Sequence, residues 1–124
     1  MENTNQMFSN ETIFKTIREM VKQFKNIEDE DEYREKCIQC VYNAFNLDIY
    51  DAEIIYDLAC FWNGEYLTDT DSEVEFLIQK NENWTFTATE IKLGGDYKKS
   101  YIFNDIPITL VLTELNYLAK KEFD

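Results

Sequence analysis

Along this chain the spacing of apolar residues changes period twice. Three segments with helical spacing precede Gly64, strict alternation begins near Val74, and a helical stripe returns after Pro107. A period near 3.6 keeps apolar side chains on one side of a helix, and a period of 2 keeps them on one side of a strand; neither serves the other element. The order read from this is ααα-βββ-α. The expected fold class is α+β: three N-terminal helices, a three-stranded antiparallel meander, and one C-terminal helix packed on the sheet.

The element ends follow from residues with local reasons to start or stop a helix. Ile13, Ile17, Met20, Phe24 and Ile27 fall at spacings of 4, 3, 4 and 3, a single stripe that Ser9 or Asn10 can cap. Asp29, with Glu32 three residues on, fits a capping box for a second helix burying Tyr33, Cys37, Val41, Ala44 and Phe45 and ending near Asn46. Asp48 or Asp51 starts a third helix with Ile54, Ile55, Leu58, Ala59 and Trp62 inward, stopped by Asn63-Gly64. Val74, Phe76 and Ile78, then Trp84, Phe86 and Ala88, alternate with polar neighbours around a turn at Lys80–Asn83, which predicts a hairpin. Ile91 and Leu93 break that parity, so a bulge or strand end is expected near Glu90. Gly94-Gly95-Asp96 turns into a third strand, Tyr97 to Phe103. Asp105 is the expected cap of the last helix, with Pro107 in its first turn and Ile108, Val111, Leu112, Leu115, Leu118 and Ala119 as its stripe.

A chain of 124 residues, 44% hydrophobic and with 3 Gly and 1 Pro, predicts a single domain over residues 1–124 with 1–8 frayed. It is long enough to bury about two-thirds of its unfolded surface without metal or disulfide staples. No apolar run approaches the ~18–20 residues of a membrane span. Met1 to Gln6 lacks the basic start and apolar stretch of a signal peptide, and three cysteines do not form a disulfide framework, so the cytoplasm is the expected compartment. The N-x-T sequons at Asn10 and Asn83 carry no meaning there.

Charge is distributed very unevenly. The chain holds 25 acids and 12 bases, a net −13. Residues 1–27 are net +1 and residues 91–124 are neutral, whereas residues 28–90 carry 17 acids against 3 bases. Nucleic acid as a direct ligand is disfavoured, because binding it needs Lys and Arg to displace counterions.

Chemistry-bearing motifs are few. With no histidine, the Ser-His-Asp and Cys-His nucleophile systems and His-ligated metal sites are excluded. Cys37-x-x-Cys40, with Cys60 as a third thiol, lies inside a helix, where redox pairs do not gain from the N-terminal dipole; the three read as small hydrophobes. Asp69 to Glu73 imitates a calcium loop, but Val74 and Lys80 stand where glycine and glutamate are required. Glu90-Ile91-Lys92, with Asp71 or Glu75 upstream, resembles the E-x-K element of metal-dependent nucleases; a nuclease also needs a positive groove, and the charge here runs the other way. No cofactor or metal is expected, and the chain reads as a binding protein instead of an enzyme.

The acids themselves are the candidate site. Dipole stabilisation accounts for Asp29, Asp31 and Glu32 at a helix start, at about 0.3–1 kcal/mol each, but not for Glu28 and Glu35 nor for recurrence in the next two elements. Glu53 and Asp57 lie one turn apart, Glu73 and Glu75 point outward from one strand, and Asp69, Asp71 and Tyr66 fall between. Carboxylates several ångströms apart, mixed with tyrosines, imitate phosphates and stacked bases and steer a basic partner. The expected partner-binding residues are Glu28, Asp29, Asp31, Glu32, Glu35, Glu53, Asp57, Tyr66, Asp69, Asp71, Glu73 and Glu75.

Small acidic domains of this character include phage inhibitors of host nucleases (anti-CRISPR and anti-restriction proteins, nucleic-acid mimics) and immunity proteins or antitoxins that block basic toxins. No stretch of the chain carries a motif of either class. The expected partner is a basic, nucleic-acid-binding protein, a nuclease or toxin. Membrane association is not expected, and the chain is read as a monomer or a homodimer, with Trp62, Tyr66 or Tyr101 as possible interface aromatics.

Overall fold

A computed structural model of the protein describes residues 8–62, 64–68, 74–92 and 98–121. The elements are α1 (Asn10–Gln23), α2 (Glu30–Phe45), α3 (Ile49–Phe61), β1 (Glu65–Leu67), β2 (Val74–Lys80), β3 (Phe86–Lys92), β4 (Lys98–Phe103) and α4 (Ile108–Lys121). The fold is α+β as the periods require. The sheet, however, is a four-stranded antiparallel meander in the order β1-β2-β3-β4 and not a three-stranded one. The additional strand has three residues, of which only Tyr66 faces inward, so it has no alternation to display.

Side chains start the first three helices as the residue types demand. Ser9 Oγ accepts from the Thr12 N–H at 3.1 Å, Asp29 Oδ1 from Asp31 and Glu32, and Asp48 Oδ1 from Tyr50 at 2.8 Å. Asn46 (φ 52°) ends α2 in the left-handed conformation that asparagine tolerates. The fourth helix departs from expectation. Asp105 is exposed with φ 59° and does not cap it, and Pro107 lies just before its first residue. The Ile108 N–H donates instead to Asn10 Oδ1, while Asn10 Nδ2 donates to the carbonyls of Trp84 (2.8 Å) and Ile106 (2.9 Å). One buried asparagine thus ties the start of α1 to the β2–β3 turn and to the start of α4.

The helices cover one face of the sheet. Phe76, Ile78 and Phe86 from the strands meet Ile13, Ile17, Ile55, Leu58, Ile108, Leu112 and Leu115, all essentially without solvent exposure. Each such side chain contributes about 1.5–3 kcal/mol of burial free energy. In α2 the buried residues are Cys37, Ile38 and Val41; Ala44 is exposed, contrary to expectation, because α2 packs on α1 and α3 along a line that passes it by. Phe8, expected to be frayed, sets its ring edge-on to Phe45 at 5.0 Å.

Two strand expectations also change. Trp84 is not in a strand: it sits in a single 3-10 turn, Glu82–Trp84, with φ 60°, and stacks on Phe14 at 5.1 Å. Parity does not switch at Glu90. Pairing runs without a bulge through Phe76↔Glu90, Glu75↔Ile91 and Val74↔Lys92, which points Glu90 inward. Burial of that carboxylate is made tolerable by the Tyr101 hydroxyl, which donates to Glu90 Oε1 at 2.8 Å. Ile91 was misleading because the outer face of the sheet carries apolar residues too, Leu67 and Ile102 among them. The Gly94-Gly95-Asp96 turn, Tyr97 and Asn63 lie outside the described residues.

Candidate partner-binding site

Residues on α2 and α3 build the acidic site from two helix starts. Asp29 spends its carboxylate capping α2, and Asp31 and Glu32 occupy the first turn, all three exposed. Glu28 precedes the helix and Glu35 follows one turn later, both exposed. Glu32 and Glu35, and likewise Asp31 and Glu35, stand about one helical turn apart, so their carboxylates form a short ladder at the start of α2. Between α2 and α3 runs an open groove of about 570 Å³, lined by Glu32, Glu35, Lys36, Ile38, Gln39, Ile49 and Glu53. Of the predicted residues, Glu32, Glu35 and Glu53 therefore meet around one concavity, with Lys36 as its cation.

Asp57 and Tyr66 are brought together, but they are not free to receive a partner. Arg34 donates to Asp57 Oδ2 at 2.8 Å and approaches Glu53 Oε2 at 3.5 Å, with its guanidinium over the Tyr56 ring. The Tyr66 hydroxyl donates to the same Asp57 oxygen at 3.2 Å. Burial, reinforced by the neighbouring Asp57 charge, pushes the Tyr66 phenol up to about 12. Asp57 thus serves mainly to hold α2, α3 and β1 together.

Glu75 is not part of this grouping. It stands opposite Ile91 on the sheet face turned away from the helices. Asp69, Asp71 and Glu73, and with them the calcium-like loop, lie outside the described residues. Glu90 is buried, and among the described residues its Oε2 has no hydrogen-bond partner. Lys92 lies two residues on along the same strand, partly buried. The three thiols are free; Cys37 is buried and Cys40 and Cys60 are partly covered, and burial pushes the Cys37 and Cys60 thiols up. Among the described residues no group of three or more His, Cys, Asp or Glu is placed to hold a metal ion, and no helix is long and apolar enough to cross a membrane.

Sequence reasoning missed the apolar part of this surface. Trp62, Tyr66 and Tyr101, read as interface aromatics, all pack against the core, Trp62 edge-on to Phe86 at 5.7 Å. Of the exposed ones, Tyr50 (68% exposed), Ile49 (42%) and Tyr42 (39%) lie at the end of α2 and the start of α3, whereas Leu67, Ile102, Leu110 and Tyr117 lie on the sheet and α4. Tyr42 lies seven residues beyond Glu35, two turns along the same face of α2. The available signal was position, since Ile49 and Tyr50 directly follow the Asp48 cap and fall off the buried stripe of α3. No protein-family model, no curated protein and no solved structure matches this chain.

Proposed function

We propose that this protein is a non-catalytic binding protein whose α2–α3 face covers the basic, nucleic-acid-binding surface of a nuclease or similar protein, as a phage-type inhibitor or nucleic-acid mimic does. The observation that carries this reading is the groove where Glu32, Glu35 and Glu53 converge from two helices beside exposed Ile49. A merely soluble acidic surface scatters its charges. Here a carboxylate ladder flanks an apolar floor, with Tyr42 and Tyr50 close along the chain as aromatic anchors, the composition from which interface hot spots are made. The carboxylates raise the encounter rate with a cationic surface, and the aromatics hold it once met.

The test is to immobilise the protein, pass a bacterial lysate over it and elute with rising salt. The expected eluate contains a nuclease or another basic nucleic-acid-binding protein, released early by competing DNA or RNA. If only neutral proteins or the chain itself are retained, insensitive to salt, the acidic face is a solubility device and the reading fails.

A further inference from the structure

A second concavity opens where α1, α2 and α3 meet, and its chemistry is the reverse of the first. It encloses about 480 Å³, within the range of small-molecule sites. Its walls are Val21, Ala59, Cys60 and the rings of Tyr33 and Tyr56. Of their polar atoms, the Tyr33 hydroxyl is engaged, donating to the Val21 carbonyl at 3.0 Å, and burial pushes the Tyr56 phenol and the Cys60 thiol up, which keeps both uncharged at neutral pH. The walls therefore offer an apolar surface with little left to satisfy a polar ligand body.

The rim is cationic. Lys15, Arg18 and Lys22, at i, i+3 and i+7 on α1, all border the opening, against one acid, Glu19. Glu19 approaches Lys22 at 3.9 Å, and among the described residues neither Lys15 nor Arg18 has an ion-pair partner. In a chain of net −13, two unpaired cations converging on one apolar hollow mark a place where an anion is locally favoured despite the global field.

We propose that this hollow binds a small amphipathic organic anion, a medium-chain or aromatic carboxylate, with its apolar body against Tyr33, Tyr56 and Ala59 and its head group on Lys15 and Arg18. A polyanion such as a nucleotide fits poorly, because only the rim carries charge. An uncharged hydrocarbon leaves Lys15 and Arg18 unused.

Sodium decanoate is the probe, decanol its uncharged counterpart, and alkylation of Cys60 by iodoacetamide at pH 8.5, followed by peptide mass spectrometry, the site-specific readout. Decanoate is expected to bind saturably and to protect Cys60 without slowing Cys40, with decanol about tenfold weaker, the equivalent of one charge-assisted contact. Lys15→Glu/Arg18→Glu, two exposed positions, should abolish the protection at an unchanged thermal melting temperature; Lys15→Gln/Arg18→Gln serves if the reversal disturbs folding. Protection that survives loss of both charges, that decanol matches, or that appears only where decanoate aggregates overturns the proposal, as does no protection at all.

Discussion

Two concavities share helix α3, and they differ in almost everything else. The α2–α3 groove is open and acid-walled, and its apolar residues are Ile38 on α2 and Ile49 at the start of α3. The α1–α2–α3 hollow is apolar-walled and rimmed by bases, and it meets α3 near its other end, at Tyr56, Ala59 and Cys60. Within α3, Asp57 and Cys60 stand three residues apart, yet one belongs to an Arg34-bridged polar cluster and the other to an apolar wall. The contrast teaches that net charge describes neither site. What counts is which chain segment each helix comes from: α1 lies in a stretch of net +1, and α2 and α3 lie in the stretch that holds the acid excess.

The comparison breaks most severely through the scaffold common to both. Ile55 is fully buried on α3, and Ile55→Ala should cost about 2–5 kcal/mol in urea unfolding while weakening binding at both concavities. Loss at one with the other intact would show that α3 does not couple them. A smaller effect sharpens the acidic side alone. Arg34→Met removes the bridge to Asp57 and Glu53, and, with Asp57 the more buried partner, this should cost about 1–2 kcal/mol in the same experiment. Releasing two carboxylates should also speed association with a basic partner about two- to threefold at low salt, leaving decanoate binding unchanged.

The smallest effect concerns Asp51 in the first turn of α3. Burial, with the nearby Asp48 charge, raises its carboxyl above the usual range, against a hydrogen bond from Asn116 that lowers it. A raised folded-state value means that the ionised form opposes folding at neutral pH, and that stability is regained as pH falls toward the ordinary carboxylate range near 4. Asp51→Asn should therefore stabilise the protein by about half a kcal/mol at pH 7, with the advantage shrinking as the solution is acidified. Thermal melts of both proteins between pH 7 and pH 4 decide it, and an advantage that grew on acidification would reverse the sign of the account.

Helix starts and buried stripes were legible because each rests on local rules: Ser9, Asp29 and Asp48 cap as their side-chain oxygens allow, and Ile108 to Ala119 keep their period. What the sequence hid depends on distant partners. The cap of α4 comes from Asn10, whose contact with Ile108 spans 98 residues, and burial of Glu90 depends on Tyr101 across the β3–β4 ladder. For the site, the acids of α2 were readable as a run. That Glu53 joins them while Arg34 and Tyr66 hold Asp57 is a matter of how two helices and a strand cross, and no spacing encodes it. The basic hollow was visible only as the faint positive balance of residues 1–27.

The central claim is that the α2 carboxylate ladder drives recognition of a basic partner. The most direct measurement is the association rate of the captured partner with the wild type and with Glu28→Gln/Asp31→Asn/Glu32→Gln/Glu35→Gln, across ionic strengths. The account predicts a loss of at least about tenfold at low salt, a flattened salt dependence and an unchanged circular dichroism spectrum. A correctly folded variant that associates at the wild-type rate, with the same salt dependence, would contradict it.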